Sequence, residues 1–346
     1  MSTIAVVGAG VAGLTVAYGL RGRPAEVTIF EKSRGFGGRA ATRGRHGCRY
    51  DHGAPYFSPS SERVERLVTA HLPTEHLLAI GPVGTFDEDG TCRVGAPDAA
   101  QGPKWTYVQG ISTLGKLLAR QCRAAVRRNT RIERLEREGD RWRLHTESGE
   151  RTAPYDAVVL TAPAPQSVAL LRSVSADQKG IRRVRAGLES VRYAPQFAYV
   201  LAYDRPIERP VDAFGLRGPG PGHPLDWIGF ESDKPGHAPA GQTLLVVHTA
   251  EEWTASRVDR EPDAFLSEVT DAAEEVLSAS LRPSDWHDTH RWRYARPRAA
   301  GGLDPALGAE DGIVLAGDAV AGRGTVAGAI ESGFDAAARL RDSLAQ

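Results

Sequence analysis

The chain opens with an apolar run, Ile4-Ala5-Val6-Val7, that stops at Gly8-Ala9-Gly10-Val11-Ala12-Gly13. A second apolar run, Val27-Thr28-Ile29-Phe30, ends in Glu31. In order, this reads as a strand, a glycine turn, a helix over about residues 11–21, and a second strand closed by a carboxylate. That layout cradles the ADP half of a dinucleotide. Gly8 permits the tight turn, Gly10 lets a pyrophosphate approach the backbone, and Gly13 lets the helix pack close to the strand. The helix points its free N–H groups and the positive end of its dipole at the phosphates. Glu31 stands near the expected spacing, about 20 residues on, for an acid that accepts from ribose hydroxyls. The apolar stretch from Ile4 to Leu20 imitates a membrane span. It is shorter than the roughly 20 residues such a span needs, no positive side chain precedes it, and glycines interrupt it.

The glycine turn alone does not choose between a nicotinamide and a flavin cofactor, and three further features do. Arg34-Gly35-Phe36-Gly37-Gly38-Arg39 follows Glu31-Lys32-Ser33 directly. Adjacent glycines allow close backbone approach, and a fixed arginine neutralises a pyrophosphate or an anionic flavin. Asp51-His52-Gly53-Ala54-Pro55-Tyr56-Phe57 is a second glycine turn leading into aromatics. Near the C-terminus, Ile313-Val314-Leu315-Ala316 ends in Gly317-Asp318, and Gly324-Thr325-Val326-Ala327-Gly328 opens a last helix. Asp318 is suited to ribityl or ribose hydroxyls. The helix start at Thr325 and Val326 would face the pyrimidine end of an isoalloxazine and stabilise its reduced, anionic form. No second nicotinamide-binding strand–turn–helix unit is present in the sequence.

Charge and cysteine usage remove other classes. Lys+Arg and Asp+Glu number 43 each, without the basic excess of nucleic-acid or anionic-membrane binders. Three scattered cysteines, Cys48, Cys92 and Cys122, build no disulfide framework. A cytoplasmic enzyme with a small-molecule substrate is expected. The arginines 120, 123, 127 and 131 recur at helical spacing and read as a solvated helix face. His287 and His290, with Asp285 and Asp288, lack the further ligands of a metal site, and none is expected.

Along the chain, helices are expected at 62–72, 112–123, 166–190, 262–280 and 326–344, with strands at 126–137, 141–147, 157–161, 313–316 and repeatedly over 193–250. Ile111, Leu114, Leu117 and Leu118 form the apolar face of the second helix. Nucleotide-type elements thus occupy both ends of the chain around a mixed insertion. The expected fold is α/β, a Rossmann-like FAD-binding domain from 1–75, 106–165 and 296–346, with an α+β substrate domain from 76–105 and 166–295.

These motifs resemble the FAD-dependent amine oxidase superfamily, and within it the bacterial renalase-like branch. The likeness also runs through Tyr155-Asp156-Ala157-Val158-Val159-Leu160-Thr161-Ala162-Pro163-Ala164-Pro165, Glu252-Trp253 and Arg291-Trp292-Arg293-Tyr294-Ala295. It implies an amine oxidase/p-hydroxybenzoate hydroxylase-like architecture and non-covalent FAD. It implies oxidation of 2- or 6-dihydro isomers of NAD(P)H to NAD(P)+, with O2 reduced to H2O2. By position, FAD contacts would come from Gly8, Gly10, Ala12, Gly13, Glu31, Lys32, Gly38, Arg39, Pro55, Tyr56, Gly317, Asp318, Thr325 and Val326. Ile132 would supply a backbone contact near the adenosine. Two departures stand out: Pro55 replaces the branch's usual glutamine, and no glutamate occurs over 323–328.

Hydride transfer from a dihydropyridine needs no general base, only orientation in an aromatic slot. Trp105, Tyr107, Trp292 and Tyr294 are candidates for that slot, with Tyr56 at its rim and His248 as a further pocket residue. The alternatives are an FAD-dependent amine oxidase and a non-enzymatic flavin-binding redox sensor. Amine oxidases generally hold a lysine near the flavin, from the segment before the C-terminal Gly-Asp motif; here no lysine follows Lys234.

Overall fold

The computed structural model describes residues 1–95, 102–174, 179–298 and 302–344. Two sheets organise it. The first is parallel, in the order Ile313–Leu315, Ala157–Leu160, Ser2–Val7, Ala25–Phe30, Ala125–Arg127. Val6 stands beside both Ile29 and Val159, and Val159 beside Val314. Ile4, Val6, Ile29, Val159 and Val314 pack against the helices Val11–Leu20, Ser112–Gln121 and Val326–Leu344. The alternate residues Ala5, Val7, Phe30, Val158 and Leu160 pack on the hairpin Ile132–Glu138/Arg141–Thr146 and on two helices, Ala164–Leu171 and Lys179–Ser190. Burial on both faces explains why these strands read as unbroken apolar runs. All five strands run the same way, so Gly8, Glu31, Thr161 and Gly317-Asp318 arrive at one edge. The chain switches sides beside the first strand, and the crevice this leaves is where such sheets take ligands.

The second sheet has seven strands, in the order Trp286–Arg298, Arg192–Tyr203, Thr243–Thr249, Leu225–Phe230, Gly215–Arg217, Val83–Phe86, Cys92–Arg93. Successive side chains point to opposite faces. Phe197, Tyr199, Leu201, Leu245 and Val247 cover the helix Leu266–Leu277. Val200, Ala202, Leu244 and Val246 turn the other way, onto Cys48 and Tyr50 of the hairpin Thr42–Arg45/Cys48–Asp51. That hairpin joins the two bodies. Among the described residues, no helix is long and apolar enough to cross a membrane.

Several sequence expectations need correction. Of the four arginines read as one helix face, only Arg120 lies on the helix, which ends at Gln121; Arg123 has a positive φ, and Arg127 is on an edge strand. The strand expected over 126–137 is two strands, because Asn129 takes a left-handed conformation between them. Ala125–Arg127 extends the parallel sheet, and Ile132–Glu138 begins the hairpin. The helix expected over 166–190 is two helices, with 175–178 outside the described residues. Assigned from sequence to the substrate domain, these helices sit on the parallel sheet, because Val168, Leu171, Ile181, Val184 and Leu188 line their apolar faces.

Candidate cofactor and substrate site

Glycine backbone lines the crevice at the end of the first strand. Gly8 has φ +113°, and a Cβ there would fall 2.6 Å from the Thr161 hydroxyl oxygen; a Cβ on Gly13 would overlap the Gly8 carbonyl oxygen. Gly10 differs: a Cβ there would meet only the Gly38 Cα, at 4.0 Å. Gly37 N–H donates to the Ala9 carbonyl at 2.9 Å, and Gly38 has φ +62°. Gly10, Gly37 and Gly38 therefore form a floor of bare backbone. Above it the helix Val11–Leu20 begins with no side-chain cap, so its first N–H groups have no partner within the helix. Such a cradle, which a side chain would fill, fits a pyrophosphate.

Glu31, 7% exposed, accepts from Ala9 N–H at 2.8 Å and from Ser33 N–H at 2.7 Å. Oε1 also accepts from the Ser33 hydroxyl, and Oε2 keeps a lone pair free for a ribose hydroxyl. Lys32 donates to the Gln166 side chain at 3.3 Å, and burial lowers its pKa. Thr130 N–H donates to the Glu31 carbonyl at 2.8 Å, which brings Ile132 close to this end of the crevice.

At the other end, Arg39 donates to Asp318 and to the Tyr294 and Ala295 carbonyls, at 3.0 and 3.1 Å. Asp318 is 4% exposed. Its second oxygen accepts from the Tyr193 hydroxyl at 2.9 Å, and that hydroxyl accepts from Ala164 N–H at 3.1 Å. Burial, then Asp318, pushes the Tyr193 pKa up, so it stays a donor. A Cβ on Gly317 would lie 3.9 Å from the Ala12 Cβ, so Asp318 sits beside the glycine turn. Thr325 caps the last helix, its hydroxyl accepting from Gly328 N–H at 3.0 Å, and Val326 is buried behind it.

The second sheet supplies an aromatic wall. His248 lies opposite Trp227 on one side and Ala198 on the other, and Ala198 lies opposite His290. Cross-strand partners share a face, so Trp227, His248 and His290 form one row, with Trp292 next along its strand. Trp227 lies flat over Gly229 and Gly215: a Cβ on Gly229 would be 2.6 Å from its indole nitrogen, and one on Gly215 would overlap its ring. His52, from the 51–57 turn, stacks on Trp292 at 5.4 Å, and the Trp292 indole donates to the His52 carbonyl at 2.9 Å. Tyr56 meets Trp227 at 5.8 Å and accepts from Arg217. Burial first, then the nearby arginine Arg43, lowers His52 to about 3 and His290 to about 4. Burial also lowers His248 to about 4. All three rings are neutral at neutral pH. Three buried ring nitrogens on this wall have no partner: His52 Nδ1, His248 Nε2 and Trp227 Nε1.

Of the aromatic candidates, Tyr56, Trp292 and His248 come together here. Tyr294 belongs to the Arg39–Asp318 end, its ring against Tyr193 at 5.6 Å. Tyr107 stands apart from this wall: it is fully buried, stacked on Phe57 at 6.3 Å and packed with the core, and its hydroxyl has no partner. Trp105 pairs through its backbone with Phe57, behind the 54–56 turn, and its indole nitrogen has no partner. Sequence reasoning missed Trp227, whose signal was the flanking Gly215 and Gly229. It also missed Tyr193, and it passed over His290 as a rejected metal ligand.

A parallel sheet with an open glycine cradle, joined by an arginine–aspartate pair to an aromatic antiparallel sheet, defines a two-body oxidoreductase of the dinucleotide-cofactor class. The chain belongs to the flavin containing amine oxidoreductase family, whose model matches residues 87–341. Residues 6–70 match an NAD(P)-binding Rossmann-like domain. Similar solved structures include a protein from Exiguobacterium sp. 255-15 assigned as a protoporphyrinogen oxidase, 16% identical over 100% of this chain and 99% of that one, TM-score 0.78. Reduced UDP-galactopyranose mutase is 11% identical over 99% and 96% of the two chains, TM-score 0.76. Cyclohexylamine oxidase from Brevibacterium oxydans IH-35A is 11% identical over 100% of both, TM-score 0.75. At these identities the likeness is one of fold. The protein is an FAD-dependent oxidoreductase of the amine oxidase superfamily.

Proposed function

We propose that the enzyme is a renalase-like oxidase that takes hydride from a neutral dihydropyridine carrying a carboxamide, a 2- or 6-dihydro isomer of NAD(P)H, with O2 reduced to H2O2. The observation that carries this reading is the pair of unpartnered nitrogens at Trp227 and His248. The His52 backbone lies beside the His248 ring and Nε2 has no partner; in the tautomer with hydrogen on Nδ1, Nε2 offers a lone pair. Trp227 Nε1 is a donor with no acceptor. A primary carboxamide supplies both complements, its oxygen to Trp227 and its N–H to His248. A wall of neutral imidazoles and indoles also suits an uncharged donor. Two carboxylates reach His248 with their field, and both are already paired: Asp226 with Arg296 at 2.7 Å and Glu231 with Lys234 at 2.9 Å.

FAD supplies the hydride acceptor when bound. Gly10, Gly38 and the start of the helix Val11–Leu20 would hold its pyrophosphate. Glu31 would take the ribose, and Ile132 and Lys32 would border the adenosine. Arg39 and Asp318 would fix the ribityl end, with Ala54–Tyr56 and Thr325–Val326 beside the ring. His52, Trp227, His248 and Trp292 orient the donor and exclude water, and no residue has to take a proton from it. We assign 1–75, 106–190 and 296–346 to the FAD domain, and 76–105 and 191–295 to the substrate domain.

Anaerobic stopped-flow mixing tests the reading. Isomeric dihydronicotinamide dinucleotides are expected to bleach the flavin rapidly, with ordinary NADH, NADPH and an amine panel slow. Fast bleaching by an amine alone would make the enzyme an amine oxidase, and no bleaching by any donor would leave a flavin-binding sensor. Trp227→Phe is expected to weaken binding of the carboxamide donor about 10- to 100-fold, because it leaves a buried polar group unmatched. The rate of bleaching at saturation should change much less.

A further inference from the structure

The strongest cluster outside these contacts is a buried set of four ionisable side chains, Asp51, Glu231, Lys234 and His237, between the two bodies. Lys234 is 1% exposed. Its ammonium donates to Asp51 at 2.6 Å, Glu231 at 2.9 Å and the Pro55 carbonyl at 3.1 Å. An ammonium has three hydrogens, and all three are engaged; none is left for a substrate or a held water. Lys234 is therefore not built as a base or nucleophile. Asp51 also accepts from Ile111 N–H at 2.9 Å and the Thr42 hydroxyl at 2.6 Å. Glu231 also accepts from Asp51 N–H at 2.9 Å and faces His237 Nδ1 at 2.9 Å, while His237 Nε2 faces the Val108 carbonyl at 3.2 Å. Both His237 nitrogens thus face oxygens within the cluster. Two buried acids, Asp51 and Glu231, share one lysine ammonium, with His237 against the second acid.

Buried ion pairs are weak stabilisers compared with apolar packing of the same volume, so stability alone does not account for this arrangement. Its placement does. Asp51 directly precedes His52, Pro55 directly precedes Tyr56, and Glu231 closes the strand that carries Trp227. One ammonium thus ties the cofactor-facing turn to the substrate-facing sheet.

We propose that Lys234 is a positioning residue that sets the spacing between the His52–Tyr56 turn and the Trp227–His248 wall. This rests on the reading that the turn borders FAD. The test uses holoenzyme carrying Lys234→Met and the charge-compensated pair Asp51→Asn/Lys234→Met, which leaves Glu231 facing His237. The single variant is expected to melt well below wild type, because it strands a buried carboxylate. The pair is expected to recover most of that loss, yet to keep shifted flavin absorption bands and a KM about 10-fold higher, with kcat nearly unchanged. A compensated protein with wild-type flavin bands and KM would show that the lysine only balances charge, and would overturn the proposal. A fall in kcat at constant KM would overturn it too, by giving Lys234 a part in the chemistry. The flavin bands are read whichever donor reduces the enzyme. A wild-type protein that bound no FAD would instead count against the cofactor reading.

Discussion

Lowering the pH from 7 to 5 is expected to cost the folded protein about 4 kcal/mol through His52 and His248, with a smaller share from the less buried His290. Unfolded, each imidazole takes its proton near pH 6.5. Folded, burial holds His52 to about 3 and His248 to about 4. Between those values the unfolded chain binds protons that the native one refuses, so stability is full above pH 6.5 and falls as the pH drops. At pH 5 each ring contributes about 2 kcal/mol, from 1.36 kcal/mol per pH unit. Carboxylates held low by their partners, such as Asp288, lose their contribution only below this window. Burial raises Asp51, which acts in the opposite direction, so single variants are needed to isolate the rings. Denaturant unfolding at pH 5, 6, 7 and 8, with FAD saturating throughout, measures the slope. His248→Gln should flatten it by about 2 kcal/mol between pH 7 and 5. An unchanged slope would mean that the ring is solvated and charges freely, and the neutral wall that favours an uncharged donor would lose its basis.

The parts of this site legible in sequence are those whose geometry is local. The Gly8–Gly13 turn, Glu31 and the Gly317-Asp318 strand end each state their conformation within a few residues, and parallel strands bring their C-terminal ends to one edge without further information. Trp227, His248 and His290 meet only through sheet register, across strands separated by long loops, and nothing adjacent to any of them announces the other two. Lys234 was legible only as one of a few lysines; Glu231 lies three residues before it, but its other partners, Asp51 and Pro55, come from a hairpin and a turn far from it in the chain. Periodicity also misled. The arginine spacing over 120–131 continues past the point where Arg123 and Asn129 turn the backbone left-handed. Tyr107 has the composition of a pocket residue, but its strand faces the core.

Gly10→Ala is expected to leave the apoprotein as stable as wild type while weakening FAD binding at least 100-fold, about 2.7 kcal/mol. Inside the protein an added Cβ at Gly10 meets only the Gly38 Cα, at ordinary contact distance, and its extended backbone suits any residue. Its cost therefore falls on whatever occupies the floor above it, where the second glycine of such turns admits a pyrophosphate. Gly13→Ala makes the contrast. Its Cβ would overlap the Gly8 carbonyl oxygen and press on the Val6 side chain. The helix must then move off the strand, so both melting temperature and FAD affinity should fall. Apoprotein melting curves and FAD titration by flavin fluorescence separate the two effects. A yellow Gly10→Ala protein with native affinity would place the phosphates elsewhere and remove the cradle from the site. A Gly10→Ala protein that lost affinity only in step with its melting temperature would make the glycine a folding requirement, since only a ligand lying on the bare backbone divides the two variants.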